Sequence, residues 1–278
     1  MPAKSLAHLS DQRVPPRPLV CPDGPPVPLL RPGWYPASKR ALDLVVALLL
    51  LVPAAPLILL SVLLVKLTTR GPAFYSQIRL GLGGRPFRMY KIRTMIVDSE
   101  QDGACWSMPG DPRVTPVGWL LRATHLDELP QLWNVLRGDM SLVGPRPERP
   151  EFVPSLEQTV PRYRDRLSLR PGLTGLAQVQ LPPDTDLESV RRKLACDLFY
   201  VQNLGLWLDV RLIIATGFYL LGLSTVLPQR VLRIPRGVVV ENNYRHLVEV
   251  VASGAPRIPA HPARAASPNG NGQTRHSL

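Results

Sequence analysis

Two carboxylates stand side by side at Asp127 and Glu128, within Arg122-Ala-Thr-His-Leu-Asp-Glu-Leu-Pro-Gln131. On a helix, neighbouring side chains diverge by about 100°, so this pair cannot share a proton as a facing dyad and must divide its work. One carboxylate can attack phosphorus or hold a divalent cation such as Mg²⁺, while the other orients or accepts a proton. The spacing alone also fits two ordinary first-turn acids, which helices carry for dipole reasons.

What surrounds the pair favours chemistry on phosphate. Between residues 79 and 149 lie Arg79, Arg85, Arg88, Lys91, Arg93, Arg113, Arg122, Arg137, Arg146 and Arg149. A guanidinium matches phosphate oxygens in pairs, although any single one of these is by default a solvated surface charge. Arg146 differs, because Pro145 and Pro147 restrict the backbone on both sides and fix its direction. Phosphoryl transfer needs such cations around oxygens whose charge shifts during reaction.

The elements that must position these groups follow from local signals. Residues 73–79 and 86–92, rich in aromatic and β-branched side chains, flank Gly81-Leu-Gly-Gly84 and predict a β-hairpin; the glycine run lacks the spacing and the following helix of a dinucleotide fingerprint. Thr115-Pro116 predicts an N-cap with proline at N1 and a helix through Arg122. Thr124 predicts the cap of a second helix bearing Leu129, Leu132, Trp133 and Leu136, with Asp127 and Glu128 in its first turn. Thr185-Asp-Leu-Glu188 has capping-box spacing and opens a helix with Leu187, Val190, Leu194 and Leu198 on one face. Arg170-Pro-Gly-Leu-Thr-Gly175 is either a ligand loop or a structural turn. The uncharged run from Leu212 to Gln229 predicts an interfacial helix, and residues 227–250 carry no legible motif.

Residues 44–65 are 22 consecutive uncharged, mostly aliphatic positions, which as a straight helix would reach about 33 Å, the hydrocarbon thickness of a bilayer. Pro53 and Pro56 lie inside the run, and each removes a backbone donor. Lys39 and Arg40 flank one end, Lys66 and Arg70 the other. Basic flanks favour the cytoplasmic side: a kinked span satisfies one of them, whereas a helix-break-helix hairpin entering and leaving by one face satisfies both.

Charge and composition bound the rest. The chain has 278 residues and a formal charge of +12, so its ligand is anionic. Residues 39–250 keep 26 basic against 19 acidic side chains, and the excess therefore does not come from the tails. Residues 1–36 hold ten of the 32 prolines and read as a disordered leader, as residues 251–278 read as a disordered tail. Cys21, Cys105 and Cys196 form no C-x-x-C pair, which argues against a zinc site or disulfide framework and fits a cytosol-facing protein. The expected organisation is a leader (1–38), a membrane segment (39–70), a catalytic domain (71–227), an unassigned extension (228–250) and a tail (251–278).

Lys39-Arg-Ala-Leu-Asp43, Phe87-Arg-Met-Tyr-Lys-Ile-Arg-Thr-Met95, Asp111-Pro-Arg-Val-Thr115, Leu126-Asp-Glu-Leu-Pro-Gln-Leu-Trp-Asn-Val135, Gly138-Asp-Met-Ser-Leu-Val-Gly-Pro-Arg-Pro147 and Arg170-Pro-Gly-Leu-Thr-Gly175 together resemble the bacterial sugar transferase family, the monotopic polyprenyl-phosphate phosphoglycosyl transferases. The resemblance runs in order from residue 39 to about 215. It implies a mainly α fold with a small β-hairpin: a re-entrant membrane helix broken near Pro53 and Pro56, a cytosolic catalytic domain, and amphipathic surface helices over residues 187–227. It implies transfer of a sugar-1-phosphate from a UDP-sugar to undecaprenyl phosphate, with release of UMP, at the cytoplasmic face of the bacterial inner membrane, initiating exopolysaccharide, capsule, O-antigen or glycoconjugate synthesis. By that resemblance Asp127 is the nucleophile and lies at the Mg²⁺, Glu128 assists, and Lys91, Arg122 and Arg146 surround the phosphates. Membrane lipids and glycosyltransferases of the same pathway are the implied partners, and no nucleic acid is expected.

The chain departs from the family pattern at His125, where many members have Ser, and at Leu176, where many have Trp; Gln180-Leu-Pro-Pro183 replaces a Gly-Arg pair. A non-catalytic alternative is a membrane-tethered protein binding nucleic acid or anionic lipid. It accounts for the basic excess, but the cations are scattered among turns and acids rather than forming a stripe with interleaved aromatics.

Overall fold

A computed structural model describes residues 34–100, 110–182, 186–223 and 230–252. It is mostly helical, with a small antiparallel hairpin and one long apolar helix, α1 (Trp34–Thr68). The helix begins inside the expected leader, because Tyr35 and Lys39 are already anchored: both donate to Asp209 Oδ2, at 3.0 and 3.2 Å. Pro53 and Pro56 do not terminate it; helix is continuous through both.

Asp43, Ala47, Ala54, Ser61 and Val65 form the buried stripe of α1, mostly small side chains spaced by whole turns, so the helix lies close against the domain along its length. Two polar anchors fix its first half. Asp43 accepts from Ser141 Oγ at 2.8 Å and from the Leu142 amide at 3.0 Å. Arg40 donates to the Val135 and Leu136 carbonyls in the last turn of helix α3 described below, the first of which also accepts from the Gly138 amide. At its other end Val65 packs with Ala73, Ile92 and Leu121. The opposite face, including Leu48, Leu49, Val52, Leu59 and Leu63, is exposed and apolar until Lys66 and Thr68 in the last turn.

The hairpin forms as expected: β1 (Phe74–Leu80) pairs antiparallel with β2 (Pro86–Ile92), from Phe74 opposite Ile92 to Leu80 opposite Pro86. Its turn needs glycine, since Gly83 and Gly84 both take positive φ. Helix α2 (Pro116–Ala123) starts with Thr115 as N-cap, whose hydroxyl accepts from the Gly118 amide at 2.9 Å. Gly118 lets this helix touch the end of β2, for a Cβ there would lie 1.9 Å from the Thr94 carbonyl oxygen.

The next expectation needs correcting. Thr124 ends α2 rather than capping a new helix, its hydroxyl donating back to Leu120 O at 2.8 Å. His125 then turns into the left-handed region (φ 57°), and Leu126–Glu128 forms a 3₁₀ turn. Only after Pro130, which has no amide to offer a continuing helix, does α3 (Gln131–Arg137) begin. Asp127 and Glu128 thus occupy a separate short turn, and neither His125 nor Thr124 caps it.

A second pairing had no legible signal. Strand β3 (Ser141–Val143) runs parallel to β4 (Gly172–Thr174). Within the Arg170–Gly175 motif, Gly172 has a structural use, since a Cβ there would lie 2.1 Å from the Gly144 nitrogen. Short helices α4 (Val153–Thr159) and α5 (Leu176–Gln180) add Val153, Leu156, Leu176, Ala177 and Val179 to the core.

Helix α6 (Leu187–Gln202) buries Val190, Leu194 and Leu198 as the periodicity requires, but its capping box is Asp186 with Ser189; Thr185 lies outside the described residues. Its apolar face is spent on the protein core. Helix α7 (Leu206–Leu220) instead leaves Trp207, Phe218, Tyr219 and Leu220 exposed, and the remainder of the predicted interfacial run, residues 224–229, lies outside the described residues. The extension without a motif contains α8 (Gly237–Ala252), which packs on α6 through Val240, Tyr244 and Leu247 and an Arg191–Glu241 ion pair of 2.8 Å. It runs two residues into the expected tail. Residues 1–33 and 253–278 lie outside the described residues.

Candidate active site

The 3₁₀ turn Leu126–Glu128 packs against β2, and this brings the predicted residues together. Lys91 Nζ donates to Glu128 Oε1 at 2.7 Å. Arg146 reaches the same carboxylate through both terminal nitrogens, Nη2 to Oε1 at 2.5 Å and Nη1 to Oε2 at 3.3 Å. Glu128 is therefore the structural centre of the cations. Burial alone would raise its pKa, but the charges and hydrogen bonds of Arg146 and Lys91 overcome that and hold it well below the usual range.

Asp127 is only 6% exposed, and among the described residues no donor hydrogen-bonds its carboxylate. Burial raises its pKa; Lys91 opposes this, the Glu128 charge reinforces it, and Arg122 and Arg146 oppose it more weakly. The two acids are pushed in opposite directions: Glu128 is held low by the two cations that occupy it, whereas Asp127 is shifted upward and, among the described residues, no donor takes its oxygens. Neighbouring titratable groups whose pKa values are pushed apart are candidates for separate acid–base or nucleophilic roles. Lys91 is pushed down by burial against the pull of Glu128. Arg122 donates from Nε to Thr94 Oγ1 at 2.9 Å, which ties it to the end of β2.

Several other predicted cations are not at the site. Arg79 donates to Pro147 O and Gln77, Arg93 to Pro72 O and Thr69, Arg113 pairs with Asp111 at 2.6 Å, and Arg149 forks onto Glu100. These arginines hold loops in place. The arrangement leaves Lys91, Arg122 and Arg146 as the cations that act on the buried Asp127 carboxylate, a compact cluster rather than an extended basic stripe.

A family model described as bacterial sugar transferase matches residues 34–222. The chain belongs to the bacterial sugar transferase family. Among its relatives, the UDP-N-acetylgalactosamine-undecaprenyl-phosphate N-acetylgalactosaminephosphotransferase of Aeromonas hydrophila is 43% identical over 188 residues, which are 68% of this chain and 44% of that protein. The UDP-glucose:undecaprenyl-phosphate glucose-1-phosphate transferase of Caulobacter vibrioides is 48% identical over 180 residues, 64% of this chain and 67% of that protein. The exopolysaccharide production protein PSS of Rhizobium leguminosarum is 41% identical over 184 residues, 64% of this chain and 92% of that protein. The chain thus spans under half of the Aeromonas protein and nearly all of the Rhizobium one.

The donors available at the site bear on the Mg²⁺ expected there. Among the described residues no three His, Cys, Asp or Glu side chains cluster as a metal cage, and Glu128 is taken by two cations. The uncommitted Asp127 oxygens remain. Mg²⁺ is commonly held by one or two carboxylates together with substrate phosphates and water, so the residues present fit an ion that arrives with a phosphate-bearing substrate.

Three supporting residues escaped the sequence reading. Asn134, fully buried, accepts from the Tyr90 amide and donates to the Arg88 carbonyl, docking α3 onto the strand that carries Lys91. Its signal was available, as a polar residue among Leu132, Val135 and Leu136. Thr94, which holds Arg122, and Arg166, which reaches the Arg146 backbone, gave none, because their partners are distant in sequence.

Proposed function

We propose that this chain transfers a sugar-1-phosphate from a UDP-sugar to undecaprenyl phosphate at the cytoplasmic face of the bacterial inner membrane, releasing UMP and starting exopolysaccharide, capsule, O-antigen or glycoconjugate synthesis. The observation that carries the reading is the buried, uncommitted Asp127 carboxylate beside Lys91, Arg122 and Arg146. An Asp127 oxygen attacks the phosphorus that bears the sugar; the bond to the bridging oxygen breaks and UMP leaves. The resulting aspartyl phosphosugar is then attacked by a phosphate oxygen of undecaprenyl phosphate, which releases Asp127 and yields the lipid-linked diphosphosugar. The three cations stabilise charge on the phosphate oxygens in both steps, and Glu128 holds Lys91 and Arg146 in register. Mg²⁺, when bound, neutralises diphosphate charge.

The membrane reading rests on α1. Each exposed leucine or valine gains roughly 1.5–3 kcal/mol on leaving water, and the exposed face of α1 is lined with them. Both ends of the helix are pinned to one domain, Lys39 and Arg40 near its start and Val65 near its end, so a topology with the ends on opposite sides of a bilayer would tear one set of contacts. This supports a helix that keeps both ends on one side of the bilayer and sinks its exposed apolar face into the near leaflet, with the exposed aromatics of α7 lying at the interface; a re-entrant path would need α1 to bend at Pro53 and Pro56, where two backbone donors are missing. The lipid-linked product must pass to glycosyltransferases that extend it, which makes those enzymes natural partners.

The test is UMP release by membrane preparations from UDP-glucose and UDP-N-acetylgalactosamine, with undecaprenyl phosphate and Mg²⁺ present. Asp127→Asn should abolish it while leaving the protein in the membrane fraction. Full turnover by that variant would remove Asp127 from its role.

A further inference from the structure

Arg146 has to be aimed from a segment with little amide hydrogen bonding of its own, since the prolines on either side of it carry no N–H. The segment is held through its carbonyls. Four consecutive carbonyls each accept a hydrogen bond from a different residue: Pro145 O from the Gly172 amide at 2.8 Å, Arg146 O from Arg166 Nη2 at 2.9 Å, Pro147 O from Arg79 Nη1 at 3.1 Å and Glu148 O from the Leu80 amide at 2.9 Å. The bond to Arg146 itself is the one supplied by a buried charge. Arg166 is 7% exposed and Asp197, on α6, is 2% exposed; they form an ion pair of 2.8 Å. Arg166 Nη1 also donates to Tyr163 Oη at 2.7 Å, and that hydroxyl contacts Glu148 Oε2 at 3.2 Å.

A buried ion pair seldom stabilises a fold more than apolar side chains of the same volume would, and its best-attested use is to fix a register. Here the fork of one guanidinium meets three groups at once: a helix carboxylate, a tyrosine hydroxyl and the backbone of the phosphate-facing arginine. A lysine keeps the charge but offers a single nitrogen and cannot reproduce that geometry. We infer that Arg166, held by Asp197, is a positioning residue that sets where the Arg146 guanidinium meets the substrate diphosphate. The inference rests on the function proposed above.

The experiment is a double-mutant cycle between Arg166→Lys and Arg146→Ala, read as the rate of aspartyl phosphosugar formation with UDP-glucose or UDP-N-acetylgalactosamine in the absence of lipid acceptor. A misplacement of about 1 Å costs on the order of 100-fold, so Arg166→Lys alone should lose roughly 10–100-fold. In the Arg146→Ala background, where nothing remains to be aimed, the same change should cost less than about 3-fold. The thermal midpoint should fall equally in both backgrounds. Equal rate losses in the two backgrounds would mean a general structural role and overturn the inference, as would wild-type rates for Arg166→Lys. Should Arg166→Lys not accumulate as folded protein, Asp197→Asn carries the same cycle with the same expected pattern. Absence of any phosphosugar adduct in the wild type would instead overturn the underlying reaction.

Discussion

Replacing Glu128 with glutamine separates its role from that of Asp127. Glu128 Oε1 receives both Lys91 and Arg146 Nη2, and Oε2 receives Arg146 Nη1 at 3.3 Å. An amide of the same shape has one oxygen. If that oxygen takes the place of Oε1, the long contact becomes donor against donor and is lost, and the two short ones lose the carboxylate charge. Charge-assisted bonds are worth about 1.5–3 kcal/mol, roughly twice their neutral counterparts, so the two weakened contacts and the lost one sum to about 3 kcal/mol. If this is the energy that keeps the cations aligned on the transferring phosphate, the rate falls roughly 100-fold. The assay is transfer of labelled sugar-phosphate onto the protein, followed by rapid denaturation. Adduct formation should survive in Glu128→Gln, slowed by that factor, whereas Asp127→Asn forms none. A Glu128→Gln rate within about 3-fold of wild type would refute the claim that this carboxylate organises the cations. The same variant carries a pH signature. Because the folded pKa of Glu128 lies well below 4.5, its contribution to stability is fully present above 4.5 and is lost as the pH falls through the depressed value. Thermal midpoints measured across that acidic window should fall less steeply in Glu128→Gln.

Three further outcomes follow from particular contacts. Asp127 must be ionised to attack, and its raised pKa places the acid limb of adduct formation above the ordinary aspartate value of 3.8; Lys91→Met removes the largest opposing charge and should move that limb to higher pH, measured as rate against pH. Asp43→Ala leaves the buried Leu142 amide and Ser141 hydroxyl without the acceptor they share, which should cost about 1–3 kcal/mol in denaturant unfolding of detergent-solubilised protein. Gly118→Ala would press a methyl to 1.9 Å from Thr94 O; because Thr94 also holds Arg122, the variant should lose both folded yield and adduct formation, and wild-type behaviour would show that α2 can move off β2.

The parts of the fold that were legible are those decided by residues near one another. The hairpin follows from its flanking alternation and glycine turn, α2 from Thr115-Pro116, and the face of α6 from Val190, Leu194 and Leu198. The catalytic turn was placed on the wrong element because Thr124 and the acids after it imitate a helix start. What decides otherwise is the left-handed His125, whose conformation a sequence does not announce in a non-glycine residue. The β3–β4 pair joins segments about thirty residues apart and is enforced by the close approach of Gly144 to Gly172, which no local pattern contains. In α8, Val240, Tyr244 and Leu247 do keep helical spacing; their partner is α6, and that pairing is equally non-local.

The candidate site shows the same division at the level of single side chains. Asp127, Glu128, Lys91, Arg122 and Arg146 could be named from their motifs, but the direction in which each works could not. The two acids are adjacent, and nothing in their order says which is bound and which is open. That is decided by Lys91 and Arg146, which come from 37 and 18 residues away to occupy Glu128 alone. The aim of Arg146 is decided further out still, by a guanidinium anchored to a helix that begins some forty residues later. In the proposed reaction, then, the reactivity of Asp127 follows from what its neighbour has been given, and a variant that supplied a hydrogen bond to Asp127 without touching any cation should slow its attack on phosphorus.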